Sequence, residues 1–268
     1  DSWDGRALGC QGHPAMSRAT PNADRLASQG TLFANAYSSH PICCPQRANM
    51  WSGRYTHHCE SWNNHKGIER GTPTFKDHLE GVGYRFGSEL GGFGKHDYYS
   101  GAHTQLARVS AWTGPAGIPL PVNYRPAEPV VRDDEERRCH TGDWRRLDQA
   151  VEFLEDRAED GDRFFLYLSL GLPHPSFTTN RYWLERVDQE RISLPPPDGA
   201  SHPVMEFQQR AKDWRHGFED DLVKKVRAIY YAMCAEADAV LGELMDAIDR
   251  LGLGEDTLIV FASDHGEN

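Results

Sequence analysis

Between Asp221 and Arg250 the apolar residues Leu222, Val226, Ile229, Met233, Ala237, Val240, Leu244 and Ile248 recur at every third or fourth position. That spacing predicts one long amphipathic helix. Its apolar stripe cannot stay in water, so the chain must supply a broad layer to cover it. Apolar runs of strand length are the available partners. Phe164 to Leu170 is apolar without a charged break, the mark of a strand covered on both faces. After Leu253-Gly254 the run Thr257 to Ala262 predicts another strand. Buried strands alternating with amphipathic helices predict an α/β fold with a mainly parallel sheet flanked by helices.

The remaining elements fit that alternation. Thr20 before Pro21 reads as an N-cap with Pro at the first helical position, and the helix ends by Gly30. Residues 31–37 predict a short strand that delivers the chain to a loop at Cys43, and 45–52 a helix pointing back at it. Pro73 to Glu80 predicts a helix closed by Gly81 and Gly83, and 84–86 a short strand. Gly91 to Tyr98 reads as a glycine-rich turn. Trp144, Leu147, Val151, Leu154 and Ala158 fall at helical spacing, predicting an amphipathic helix over 143–159. Residues 113–142 and 176–217, rich in Pro and charge, read as irregular insertions.

A chain of 268 residues is near the upper limit for one core. Its hydrophobic content of 38% and charge of 26% are those of a globular protein. No apolar run approaches the roughly 20 residues of a membrane span, and no signal peptide is present. Both ends are expected to be cut, since Asp1 is not Met and Asn268 follows directly on a strand and turn. A formal net charge of −11 argues against nucleic acid as a partner. An anionic substrate would therefore need a local cluster of positive charge. The six cysteines show neither zinc-type pair spacing nor a dense disulfide framework.

In open α/β sheets, ligands bind beyond the carboxyl ends of the strands. Cys43, His174 and Asp264 each follow an apolar run, Asp1 would do so if a strand preceded it, and Lys95 sits in the glycine-rich turn. Taken singly, each has an ordinary reading. Cys43-x-Pro-x-Arg47 reads equally as two buried cysteines before a Pro turn and a surface Arg. His174 reads as a turn His between two prolines, Lys95 as an exposed lysine, and Asp1 and Asp264 as solvated loop carboxylates. Trp51, Trp62 and Trp183 read as core or substrate-wall aromatics.

Several blocks, in order along the chain, change that balance: PICCPQRANMWSGRYTHHCESWNN (41–64), FGKHDYYSG (93–101), LPHP (172–175), YYAMCAEADAVLGE (230–243) and SDHGE (263–267). With them the chain resembles a type I sulfatase of the alkaline-phosphatase superfamily. The resemblance covers residues 1–268 as the N-terminal part of a sulfatase catalytic domain. The strand before Asp1, a further sulfate-binding Lys and a smaller C-terminal domain are expected outside it.

The resemblance implies that Cys43 is converted by a formylglycine-generating enzyme to Cα-formylglycine (3-oxoalanine). One hydroxyl of the aldehyde hydrate attacks sulfur and expels the alcohol; the other drives release of sulfate. It also implies a Ca²⁺ ion that lowers the pKa of the attacking hydroxyl, with Asp1 and Asp264 as hard oxygen ligands and Cys43 and His265 completing the set. Arg47 is placed to hold the hydrate, Lys95 to bind sulfate oxygens, and His174 to contact the sulfate or protonate the leaving oxygen.

Four departures from the family pattern stand out. Ser2 replaces a second aspartate, with Asp4 as a possible substitute. Gln46 replaces Ser or Ala inside the signature. Asp97 follows Lys95-His96 where Lys-x-His is common, so Asp97 or His103 is expected to take over substrate binding there. His265, an unusual Ca²⁺ ligand, belongs at the edge of the ligand set.

The implied substrate is an aryl sulfate or a sulfated carbohydrate, in particular a 2-O-sulfated uronate of a glycosaminoglycan, handled in a secreted, periplasmic or lysosomal setting. One rival is a phosphoesterase or phosphonate hydrolase of the same superfamily, although zinc ligation would need more His and Asp than these loops offer. Another is a sulfatase-like protein that binds sulfated glycans without turnover.

Overall fold

The structure is a computed structural model describing residues 1–64, 66–99, 129–196, 202–211 and 217–267. Its helices are α1 (Pro21–Gln29), α2 (Cys43–Ser52), α3 (Thr56–Cys59), α4 (Phe75–Glu80), α5 (Thr141–Asp160), α6 (Arg181–Leu184), α7 (Pro203–Ala211) and α8 (Asp220–Arg250). Its strands are β1 (Arg85–Phe86), β2 (Gly92–Gly94), β3 (Val130–Arg132), β4 (Phe164–Phe165), β5 (Tyr167–Ser169) and β6 (Thr178–Asn180). Every strand ladder described is parallel: β1 with β4, β2 with β5, and β3 with β6. The α/β class expected from the sequence is the one observed.

The apolar stripe of α8 is the centre of the main core. Ile229, Met233, Cys234 and Val240 are fully buried and join Trp144 and Leu147 of α5, Ala23 of α1 and Trp183 of α6. Two carboxylates on this helix bind its neighbours. Asp238 accepts from the backbone N–H groups of Asn22 (3.0 Å) and Ala23 (2.7 Å) and from Asn22 Nδ2 (2.9 Å), meeting the otherwise unpaired first turn of α1. Burial pushes the Asp238 carboxyl up to about 6 against those hydrogen bonds. Glu236, fully buried, accepts from His140 N (2.7 Å) and Trp144 Nε1 (2.8 Å) and pairs with His140 Nδ1 (2.6 Å) at the start of α5.

A smaller cluster supports the front of the site. Trp51 of α2 is stacked between Phe75 (4.4 Å) and Tyr98 (4.5 Å). Residues 91–98, read as a turn, instead contain β2. Gly94 has φ +101°, and a Cβ there would lie 1.9 Å from Ser169 O; one at Gly92 would lie 2.1 Å from Tyr167 O. Only glycine lets the two backbones approach so closely.

Other expectations are corrected. Neither 31–37 nor 257–262 forms a strand. A strand needs a ladder partner for its backbone groups; neither segment has one among the described residues, and Tyr37 (90%) and Leu258 (88%) stay exposed. The 164–170 run is divided into β4 and β5. The stretches read as irregular hold β3, β6, α6 and α7, with Asn180 capping α6 by accepting from Trp183 N (3.3 Å). Trp51 and Trp183 are core residues, whereas Trp62 is exposed. No described helix is long and apolar enough to cross a membrane.

Two stability predictions follow from α8. Asp238→Ala should cost about 2 kcal/mol by urea unfolding, from a lost cap and unpaired buried donors. For His140, burial opposes the charge, but Cys139 and the Glu236 carboxylate outweigh it and raise the imidazole to about 9. Its folded pKa exceeds the unfolded value of roughly 6.5, so this stabilisation is complete below that pH and fades as pH rises through about 9. Unfolding free energy should therefore fall between pH 6.5 and 9.5, less steeply in His140→Gln. Identical slopes would refute the assignment.

Candidate active site

The ladders carry their polar residues to one end. The backbone nitrogen of Asp1 lies 3.2 Å from the carbonyl oxygens of both Leu170 and Leu172, just past β5. Lys95 follows β2 directly, and Cys43 is the first residue of α2. Asp264 and His265 reach the same place from the 263–267 turn, which is fixed by Ser263 Oγ accepting from Trp3 N (2.9 Å). Asp1, Cys43, Asp264 and His265 each offer a ligand atom within 4.8 Å of the others.

Arg47 holds this cluster together. It is 2% exposed. Its Nε donates to Asp264 Oδ2 (3.1 Å), and its terminal NH2 group donates to Asp1 Oδ2 (3.2 Å) and lies 2.9 Å from Asp264 Oδ2. The other terminal nitrogen donates to Lys95 O (2.6 Å), Ser169 Oγ (2.8 Å) and Tyr167 Oη (2.9 Å). The guanidinium thus faces the carboxylates and the ends of β2 and β5. Lys95 Nζ donates to Asp1 Oδ2 (2.7 Å) and lies 3.4 Å from Asp97 Oδ2. Asp264 Oδ1 accepts from Ser2 N (3.1 Å) and His265 N (2.9 Å).

The two adjacent cysteines have opposite surroundings. Burial pushes the Cys43 thiol up, but hydrogen bonding with His174 and His265 and the charge of Lys95 outweigh this and hold it near 5. Its Sγ lies 3.2 Å from His265 Nε2 and 3.5 Å from Asp1 Oδ1. Cys44, mainly desolvated, is pushed up to about 11. Burial also raises the Asp264 carboxyl, but Arg47 and His265 overcome it and hold it well below the usual carboxylate range. A thiolate among fixed cations is a reactive side chain; a desolvated thiol is inert.

His174 joins the cluster through Cys43 while remaining exposed. Its loop is anchored by Asp143 of α5, which accepts from Gly171 N (2.9 Å) and Leu172 N (2.8 Å). The structure thus brings Asp1, Cys43, Arg47, Lys95, Asp97, His174, Asp264 and His265 together. His103 lies outside the described residues. Asp4 is not in the cluster: its carboxylate pairs with Arg6 (2.7 Å). Gln46 has a separate task, its Oε1 accepting from Ser39 N (2.9 Å), Ser39 Oγ (2.8 Å) and His40 N (3.1 Å).

Some contributors went unread in the sequence. Tyr167 and Ser169 share a strand face by period two, a signal that was present, and both accept from Arg47. Tyr230 donates to Ser2 O (2.8 Å) and accepts from Asp4 N (2.7 Å). Its place in an apolar helix gave no hint of that.

The scaffold is parallel α/β, and buried carboxylates, a low-pKa cysteine and fixed cations meet at one place on it. The Sulfatase family model matches residues 1–268, and the chain belongs to the sulfatase family. It is 40% identical over 283 aligned residues to arylsulfatase K of Canis lupus familiaris, covering 100% of this chain and 52% of that protein. The chain spans about half the length of the curated relatives it matches. Among solved structures it resembles the phosphonate monoester hydrolase of Agrobacterium radiobacter, with TM-score 0.73 and 22% identity over 99% of this chain and 61% of that one. It also resembles BT1596, described as a 2-O GAG sulfatase, with TM-score 0.60 and 17% identity over 99% and 56%.

Arg47 sets a stability test. Arg47→Ala leaves Asp1 and Asp264 facing each other without their shared cation, and should cost about 3–5 kcal/mol in denaturant unfolding. A cost under about 1 kcal/mol, typical of an exposed pair, would sink this description.

Proposed function

We propose that this chain carries the nucleophile and most of the site of a sulfatase that removes sulfate from a carbohydrate, using a formylglycine made from Cys43 and a calcium ion. The observation that carries this reading is the placement of Cys43 at the start of α2, against Asp1, His265 and His174, with Lys95 beside it. A nucleophile, an acid and a cation then meet at one point, as sulfate transfer requires.

The donor set fits a hard cation. Asp1 and Asp264 supply buried carboxylate oxygens, and conversion of Cys43 replaces sulfur by oxygen, which calcium prefers. Asp1, Asp264, the modified Cys43 and His265 would hold the ion, with His265 at the edge: its Nε2 is 3.9 Å from both Asp1 Oδ1 and Asp264 Oδ2. Bound there, calcium would lower the pKa of the nucleophile and offset the charge of the sulfate oxygens. Arg47 keeps both carboxylates aimed at the site. Lys95 binds sulfate oxygens and steadies the charge that grows on them. His174, on its Asp143-anchored loop, gives a proton to the leaving oxygen. Asp97 sets the position of Lys95 and borders the substrate.

The substrate proposed is a sulfated sugar, in particular a 2-O-sulfated uronate of a glycosaminoglycan. Membership of the sulfatase family and the likeness to arylsulfatase K support sulfate ester chemistry, and the sugar is this reading's finer step. It carries with it a secreted, periplasmic or lysosomal setting and maturation by a formylglycine-generating enzyme. The phosphonate hydrolase likeness keeps phosphoryl transfer as the competing activity, because the shared fold serves either anion.

Mass spectrometry of the Cys43 peptide from full-length protein, co-expressed with a formylglycine-generating enzyme, should find the aldehyde or its hydrate. An unmodified thiol beside a modified control sulfatase would overturn the mechanism. Aryl sulfate should be turned over in preference to aryl phosphate, and Lys95→Ala should lower kcat/KM by about 10²–10³-fold. Calcium should raise the melting temperature and a chelator reverse it, with the response lost in Asp264→Asn.

A further inference from the structure

The cleft at the cluster does not end there. About 400 Å³ of space runs from Asp1, Lys95 and His174 to His140 and Thr141 at the start of α5, and Met233 of α8 also lines it. A sulfate group needs only a small part of that volume. The wall at the far end is therefore where the remainder of a substrate would rest.

His140 is the ionisable group at that end whose ring is fixed by a fully buried carboxylate. Glu236 accepts from both its backbone nitrogen and its Nδ1. With Nδ1 paired with Glu236, the His140 ring forms part of the cleft wall. Cys139 and Glu236 together favour the charged ring, so His140 brings positive charge to that wall. The residue is also the N-cap of a 20-residue helix, where the helix's own positive end opposes a cation. The nearby Asp143 carboxylate is taken up by Gly171 N, Leu172 N and Arg146. A charged imidazole held against an opposing dipole, on the wall of an anion-handling cleft, is an arrangement that a second anion on the ligand would satisfy.

We propose that His140 is a specificity-determining residue that binds a carboxylate of the sugar whose sulfate ester is cleaved. The inference rests on the sulfatase reading given above. It assigns the substrate's acidic class to one side chain and gives Glu236 a positioning role behind it.

The test uses full-length matured protein and two disaccharides, one ending in a 2-O-sulfated uronate and the other its carboxyl-reduced counterpart. Wild type should prefer the carboxylate by tenfold or more in kcat/KM, mainly through KM. His140→Gln, which retains a hydrogen bond to Glu236 but no charge, should lower that preference at least tenfold. His140→Lys, which restores a cation, should recover part of it. No preference in wild type, an unchanged preference in His140→Gln, or equal loss on both disaccharides would overturn the assignment. If wild type cleaves neither disaccharide, the sulfatase reading of this substrate fails, and calorimetric binding of the same pair decides His140 separately. Tighter binding of the uronate in wild type that is lost in His140→Gln supports the role; equal binding overturns it.

Discussion

The site depends on one buried guanidinium. Asp1 and Asp264 come from opposite ends of the described chain, and two carboxylates this close and this covered would repel strongly in a low-dielectric interior. Arg47 removes the conflict by bonding to both, and it spends its remaining donors on Lys95 O, Tyr167 and Ser169 at the ends of β2 and β5. With Lys95 completing the charge balance on Asp1, this one side chain bridges the pair and ties it to the sheet. Its planar fork can meet acceptors on several sides at once, which a lysine in that place could not.

Behind the site, α8 performs the corresponding task for the helical layer. Its stripe is apolar where it meets α5 and α6, yet Glu236 and Asp238 lie two residues apart inside it and point to different neighbours. Asp238 closes α1, and Glu236 fixes the start of α5. The same stretch of helix therefore sets the position of Asp143, and through it the loop bearing His174. A buried carboxylate is costly unless its oxygens are filled, and here each is occupied by donors from the element it positions.

The periodic part of the fold could be read directly. The stripes of α5 and α8, the Thr20-Pro21 start of α1 and the apolar 164–170 run were all visible in spacing and composition. Residues 31–37 and 257–262 misled, because apolar β-forming composition states a preference and not a partner. The glycines at 92 and 94 misled in the other direction: they permit a tight backbone approach within a ladder, and sequence cannot separate that use from a turn. Most of the cluster was legible from the blocks that resemble sulfatases; among the described residues strand ends lead only to Lys95 and His174, because 31–37 and 257–262 form no strand. Arg47's true partners were not legible, since its contacts join residues 46, 48, 120, 122 and 217 positions away. No local pattern encodes such a set.

The burial of Cys43 has a consequence for the order of events in the protein's life. The residue is 5% exposed, and it sits in the first turn of a helix whose Trp51 is stacked against Phe75 and Tyr98. A maturation enzyme that must draw this residue into its own active site cannot do so once that helix has docked. The proposed oxidation and the folding of α2 are therefore competitors in time. On the proposed maturation, the interval open to the modifying enzyme would close once residues 75 and 98 had been synthesised and packed.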